Sequence, residues 1–151
     1  MEDSRRERLV FFWIKSALAS ITFICLVFLV YGLGPFLETK YFPVLEKLQI
    51  IEVKPEGKDK ARVLAAFKKL RECEYVGIAW YWKKADDSFE RVPLVLMRKA
   101  GDNSSPNRPL GYQTSGPWEV SIPADQVLFN SFVEVFHNCW PFWTTRTKFY
   151  P

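Results

Sequence analysis

The sequence predicts an all-β domain, an antiparallel sandwich, carried behind a single N-terminal transmembrane helix. Three observations carry that expectation. Ser16 to Leu37 holds 22 residues without a charge. Beyond it, short runs of β-branched and aromatic residues recur between turn sequences. Two cysteines, Cys73 and Cys139, bracket the aromatic-rich middle of that second part.

The helix comes first. A rise of about 1.5 Å per residue means that roughly 20 apolar residues cross the hydrocarbon layer of a bilayer. "SALASITFICLVFLVYGLGPFL" meets that length. Trp13 and Tyr31 stand near its ends, where amphipathic rings favour the interface. Lys15 precedes it with a stem long enough to snorkel. Gly32, Gly34 and Pro35 predict the helix end. The resulting division is a tail over 1–8, a helix over 9–37, a linker over 38–46 and a β-sandwich over 47–151. The competing reading is a signal peptide cut near "YGLG", although its apolar core would be shorter and its end less bulky. A helix buried in a globular domain would show a polar stripe, which this one lacks.

Arg5, Arg6, Arg8 and Lys15 precede the span, and only Lys40 and Lys47 follow it closely. The positive-inside rule then places the N-terminus in the cytoplasm and the β-domain outside, in a bacterial periplasm or on one side of a virion membrane. The chain carries 21 basic and 17 acidic residues, a net charge of +4, with no run of five like charges. So scattered a balance argues against nucleic acid as a partner. The expected partners are the lipid bilayer and other protein subunits.

The β-domain follows, run by run. "KLQIIEV" (47–53) is a strand ending at a "KPEG" turn. "ARVLAAFKKL" (61–70) fits both helix and strand periods, and the turn before it favours a strand. "EYVGIAWYW" (74–82) is a strand with Val76, Ile78, Trp80 and Trp82 on one face and Tyr75, Gly77, Ala79 and Tyr81 on the other. "KKADDS" is a polar turn in which Asp86 and Asp87 cap and solvate. "FERVPLVLMR" (89–98) returns as a strand, with Pro93 marking an edge or a bulge. Glycine, proline, serine and asparagine make 99–117 a loop. "WEVSIP" (118–123) is short, "SFVEVFHN" (131–138) alternates with Val133, Val135 and His137 on one face, and "WTTRTKFY" (143–150) closes the series. About seven short strands with little helix signal make the sandwich.

"EVFHNCWPFW" (134–143) unites the single histidine with a cysteine. A zinc site needs three or four ligands, and His137 with Cys139 falls short. A Cys–His nucleophile needs a free thiol. Cys25 lies in the apolar span, which leaves Cys73 and Cys139 as an even pair in an oxidising compartment, read as a disulfide. His137 is then expected as a partly exposed strand residue beside the bridge, and no catalytic residue, metal site or cofactor is expected. The order Cys73, then Trp80 or Trp82, then Cys139 resembles the immunoglobulin-like pattern, with Cys73 at a strand end.

Long unstructured loops are uncommon unless they bind something or are disordered. The segment 99–117 and its flanks bring Arg98, Lys99, Arg108, Tyr112 and Trp118, a mixture suited to a protein interface, with a solvated connection as the alternative. Asn103 begins a formal glycosylation sequon. The anchor together with "RECE", "AWYW", "SGPWEVSIP" and "FHNCWPFWTTRTKFYP" resembles small single-pass membrane proteins of phage and prophage gene sets. That resemblance implies a viral or mobile-element setting and a non-enzymatic module in a virion or envelope complex. The alternative is an accessory subunit of a bacterial membrane complex.

Overall fold

The computed structural model describes residues 2–98, 101 and 104–149, with side chains from Arg6 onward. Lys99 and Asn103 therefore lie outside the described residues. Helix α1 runs Glu2–Tyr41, 40 residues and about 60 Å. It is long and apolar enough to cross a membrane, and its large side chains from Leu9 to Val30 are exposed. It departs from expectation at both ends. The tail is helical from Glu2, and the chain passes Gly32, Gly34 and Pro35 without breaking, so the first four residues expected as linker, 38–41, are helical. Contacts to the β-domain hold that last turn and override the local breakers.

Eight strands follow: β1 Gln49–Pro55, β2 Ala61–Lys69, β3 Glu74–Lys83, β4 Phe89–Val92, β5 Leu94–Leu96, β6 Gly111–Val120, β7 Ser131–Trp140 and β8 Trp143–Phe149. They form two four-stranded antiparallel sheets, ordered β1-β2-β6-β5 and β4-β3-β7-β8. The ambiguous segment 61–70 is a strand. The segment 89–98 is two: Pro93 separates edge strand β4 of one sheet from edge strand β5 of the other. Proline cannot donate to a ladder, so it suits a point where the chain changes sheets.

The loop expected over 99–117 ends early, because Gly111 to Pro117 belongs to β6. Gly and Pro there mark a bulge and not a connection. The β2–β6 register shifts between Val63 and Ala65, opposite Gly116 and Pro117. Gly116 has φ 113°, and a Cβ added there would lie 2.7 Å from the Val63 carbonyl oxygen. Gly116→Ala is expected to cost about 2 kcal/mol or more through clash and a positive φ. A thermal melt checks this, and an unchanged midpoint would show that the strands shift freely.

A second bulge lies between Tyr75 and Gly77 of β3. It breaks the expected two-face alternation: Val76 turns out to solvent, while Tyr75 and Ile78 both turn inward. The core between the sheets contains Val63, Trp80, Val120, Ile122, Val127 and Val133, each fully buried. Full burial stabilises by about 1.5–3 kcal/mol per large aliphatic or aromatic side chain. The Trp80 indole donates to the Ser131 hydroxyl at 2.9 Å, so its burial leaves no unpaired N–H.

Cys73 and Cys139 are bonded, with Cα atoms 4.6 Å apart. They join the start of β3 to the end of β7, neighbours in one sheet. The immunoglobulin bridge crosses between sheets, so the staple departs from that pattern.

Candidate functional site

Two features stand out where α1 meets the β-domain. The first is the joint itself. The last turn of the helix lies over β8 and the end of β2, with Glu38 at its centre and almost wholly buried. One carboxylate oxygen accepts from the Trp143 indole at 2.8 Å and the Thr145 hydroxyl at 2.5 Å. The other accepts from the Arg71 guanidinium at 2.9 Å, which also donates to the Phe42 carbonyl at 2.8 Å. A buried carboxylate is tolerable when every lone pair is met, and here three donors converge on it.

Gly34 explains how the two parts approach so closely. A Cβ on it would touch the Trp143 ring at 3.1 Å, so the missing side chain is the notch in which that indole sits. One turn earlier, Tyr31 meets Trp143 edge-on at 6.4 Å between centroids. The β7–β8 hairpin tip, Trp140 to Trp143, thus lies alongside the apolar helix. Trp140 is 52% exposed and Phe142 64%.

The second feature is a cavity of about 110 Å³ between the sheets. It exists because the edge strands are short. β4 pairs only with Trp80 to Lys83, and β5 only with Trp118 to Val120. Met97 and Asn107, described residues of the connection that leaves β5, reach the remaining edges of β6 and β3. Asn107 accepts from the Tyr75 backbone N–H at 2.6 Å, and the Met97 N–H donates to the Pro117 carbonyl at 2.9 Å. An unpaired strand edge is a liability, and the Asn107 contact satisfies one of its donors.

Apolar walls come from Phe67, Ile78, Leu96 and Val135 among others, and the polar groups are Lys69, Arg98, Arg108 and His137. Lys69 is buried, and its ammonium donates to the carbonyls of Arg108 at 2.8 Å and Cys73 at 3.2 Å. His137 is 3% exposed, where the sequence suggested partial exposure. Its inward parity in β7 was readable, but the cover supplied by Tyr75, 5.9 Å from it centroid to centroid, was not. Its Nδ1 has no hydrogen-bond partner among the described residues. Burial, reinforced by the Lys69 ammonium, pushes the imidazole down to about 4.

That shift has a sign. An unfolded histidine titrates near 6.5. Between about 6.5 and 4 the unfolded chain binds more protons than the folded one, so stability falls as pH is lowered through that window. The total loss is on the order of 3 kcal/mol. Urea midpoints at pH 7 and pH 4.5 check it: the drop should be larger for the native chain than for His137→Leu, and parallel drops would clear the histidine.

Of the residues expected to bind a partner, Arg98, Arg108 and Trp118 line the cavity together. Tyr112 does not join them. It is 81% exposed on the outer face, with the Lys68 ammonium 5.4 Å from its ring centroid. Sequence reasoning missed Lys69 and Glu38 altogether. Lys69 follows Lys68 and Glu38 stands in a mixed stretch, and only the tertiary fold buries them. Compared with known protein families, curated proteins and solved structures, the chain matches none.

Proposed function

We propose that the protein is a non-enzymatic, membrane-anchored binding module whose helix spans a bilayer and whose β-domain is mounted directly on the bilayer surface. The carrying observation is the joint: an exposed apolar helix runs without interruption into a buried carboxylate held by three donors of the β-domain. A flexible tether has no use for such a socket. The hairpin tip supports the same reading. Trp143 meets Tyr31 and Gly34, and the exposed Trp140 and Phe142 sit near it in the chain, aromatic rings of the kind that favour the lipid interface.

The flanking charges favour a cytoplasmic N-terminus and an extracytoplasmic β-domain, and the disulfide fits that side. With the two domain thiols oxidised together, no free thiol stands beside His137 to serve as a nucleophile. The setting proposed with this reading is a virion or envelope protein complex, and the immunoglobulin-like kinship rests on the two antiparallel sheets and the buried Trp80 alone.

The test has three arms. Membranes washed in alkaline carbonate should retain the chain, and release of the chain would remove the anchor. Protease added to intact cells or spheroplasts should digest the β-domain, and protection until lysis would reverse the topology. Purification in mild detergent should bring down other subunits or a self-associated form, and a lone monomer would leave the assembly role unsupported. In the accessory-subunit reading, assembly depends on helix packing, so exchanging residues 16–37 for an unrelated apolar helix would abolish it.

A further inference from the structure

We propose that the cavity between the sheets binds a small apolar monocarboxylate, its anionic end held by Lys69 and its body among Phe67, Ile78, Leu96 and Val135. This goes beyond the anchor reading and stands without it, because the cavity is formed by the β-domain alone.

Charge is the first support. Lys69 is 6% exposed, yet among the described residues the hydrogen-bond partners of its ammonium are two backbone carbonyls. A buried cation ordinarily has an anion beside it. None of the described cavity-lining side chains is acidic, and the guanidinium groups of Arg98 and Arg108, also at the cavity, form no ion pair among the described residues. Elsewhere in the domain Arg62, Lys60, Lys83 and Lys84 all find carboxylates. Among the described residues no carboxylate balances the positive charge around this one space, which suits it to an anionic ligand.

His137 is the second support. His137 lines the same space, and its buried Nδ1 has no hydrogen-bond partner among the described residues. A neutral imidazole offers either a donor or an acceptor there, and a buried polar atom left unmet in a native fold calls for a ligand or an ordered water. Size and wall chemistry then fix the class. An apolar cavity of about 150 Å³ accommodates benzene. At about 110 Å³ this one takes a body of similar or smaller size, and its apolar walls disfavour a bare, strongly hydrated inorganic anion. A single carboxylate on a short aliphatic or aromatic body meets all these conditions.

Benzoate is the probe, with benzamide and benzylamine as neutral and cationic analogues. The full chain in detergent is titrated while the Trp118 indole N–H resonance is followed, since that side chain lines the cavity and its N–H is fixed by Ser115. Benzoate should give a saturable shift with Kd at or below about 1 mM, and the analogues should bind at least about tenfold more weakly. Lys69→Met should weaken benzoate roughly tenfold or more, through the lost charge-assisted contact. Ile78→Phe, which fills the space, should abolish the shift while the chain still melts cooperatively. Should Lys69→Met fail to fold, Arg108→Gln replaces it, with a weakening of about threefold expected from a partly exposed cation.

Equal shifts from benzylamine or benzamide would overturn the charge assignment. Full affinity in Ile78→Phe would overturn the location. No shift at about 50 mM benzoate would overturn the site itself. Binding of a peptide with a C-terminal phenylalanine in place of benzoate would transfer the cavity to chain-end recognition and overturn the free-acid assignment. None of these results depends on whether α1 spans a membrane, so failure here and failure of the anchor are separately visible.

Discussion

Replacing Glu38 with leucine should lower the melting temperature of the β-domain by roughly 10–20 °C and loosen its angle to the helix. The estimate follows from what the carboxylate holds. Removing it leaves the Trp143 indole, the Thr145 hydroxyl and the Arg71 guanidinium without that acceptor, of which Thr145 is fully buried and Trp143 half-buried. Breaking one side of a buried ion pair typically costs about 3–5 kcal/mol, and the low end applies here because Arg71 is partly solvated. For a domain of this size about 1 kcal/mol moves the midpoint by roughly 4–8 °C. Glu38→Gln keeps an acceptor for the indole and should cost much less, about 1 kcal/mol. Melting of the detergent-solubilised chain reads the first effect. Distances between spin labels on α1 and on an outer strand read the second, as a narrow distribution that broadens in the leucine variant. A narrow distribution in both would mean that Gly34 and the aromatic contacts suffice to hold the joint.

Opening the Cys73–Cys139 bridge has a comparable effect by another route. The two residues are separated by 66 positions, so the bond closes a long loop of the unfolded chain. In the chain-entropy account that closure stabilises the fold by about 4 kcal/mol. Net stabilities of domains lie near 5–15 kcal/mol, so a domain of modest core loses a large share. The double variant Cys73→Ser with Cys139→Ser should therefore show a sharply lower guanidinium midpoint than the oxidised chain. Under non-reducing, denaturing conditions a maleimide should label one thiol, Cys25, and reduction should raise that to three. An unchanged midpoint in the serine variant would show that packing around Trp80 holds the two strand ends without the bond.

Much of the architecture was readable from local chemistry. The clean alternation of β7 put Val133, Val135 and His137 on one face, which the fold turns inward, and the charge-free run marked the helix. The disulfide followed from counting thiols outside that run. What escaped was set by partners far along the chain. Gly34 and Pro35 carry the composition of a helix end, but Trp143, more than a hundred residues later, uses the missing side chain as a seat. Gly116 and Pro117 look like a connection and instead form a bulge against Val63. The bulge at Tyr75 reverses inside and outside for part of β3, a change that no period-two pattern can announce. Of the residues suggested for binding, Arg98, Arg108 and Trp118 converge on the cavity that two short edge strands leave open. Tyr112 stays outside, since strand parity and not proximity decides which way it points.

The Glu38 socket turns the helix and the sandwich into a single lever. Membrane helices lean by about 20° on average, and the lean adjusts to bilayer thickness. Strand β3 has 10 residues, so the domain extends about 33 Å along its strands. A rigid arm of that length sweeps its far end sideways by about 10 Å for a lean of that size. With α1 anchored in a bilayer as proposed, a change of bilayer thickness would make the outer end of the sandwich meet its contacts at a different place.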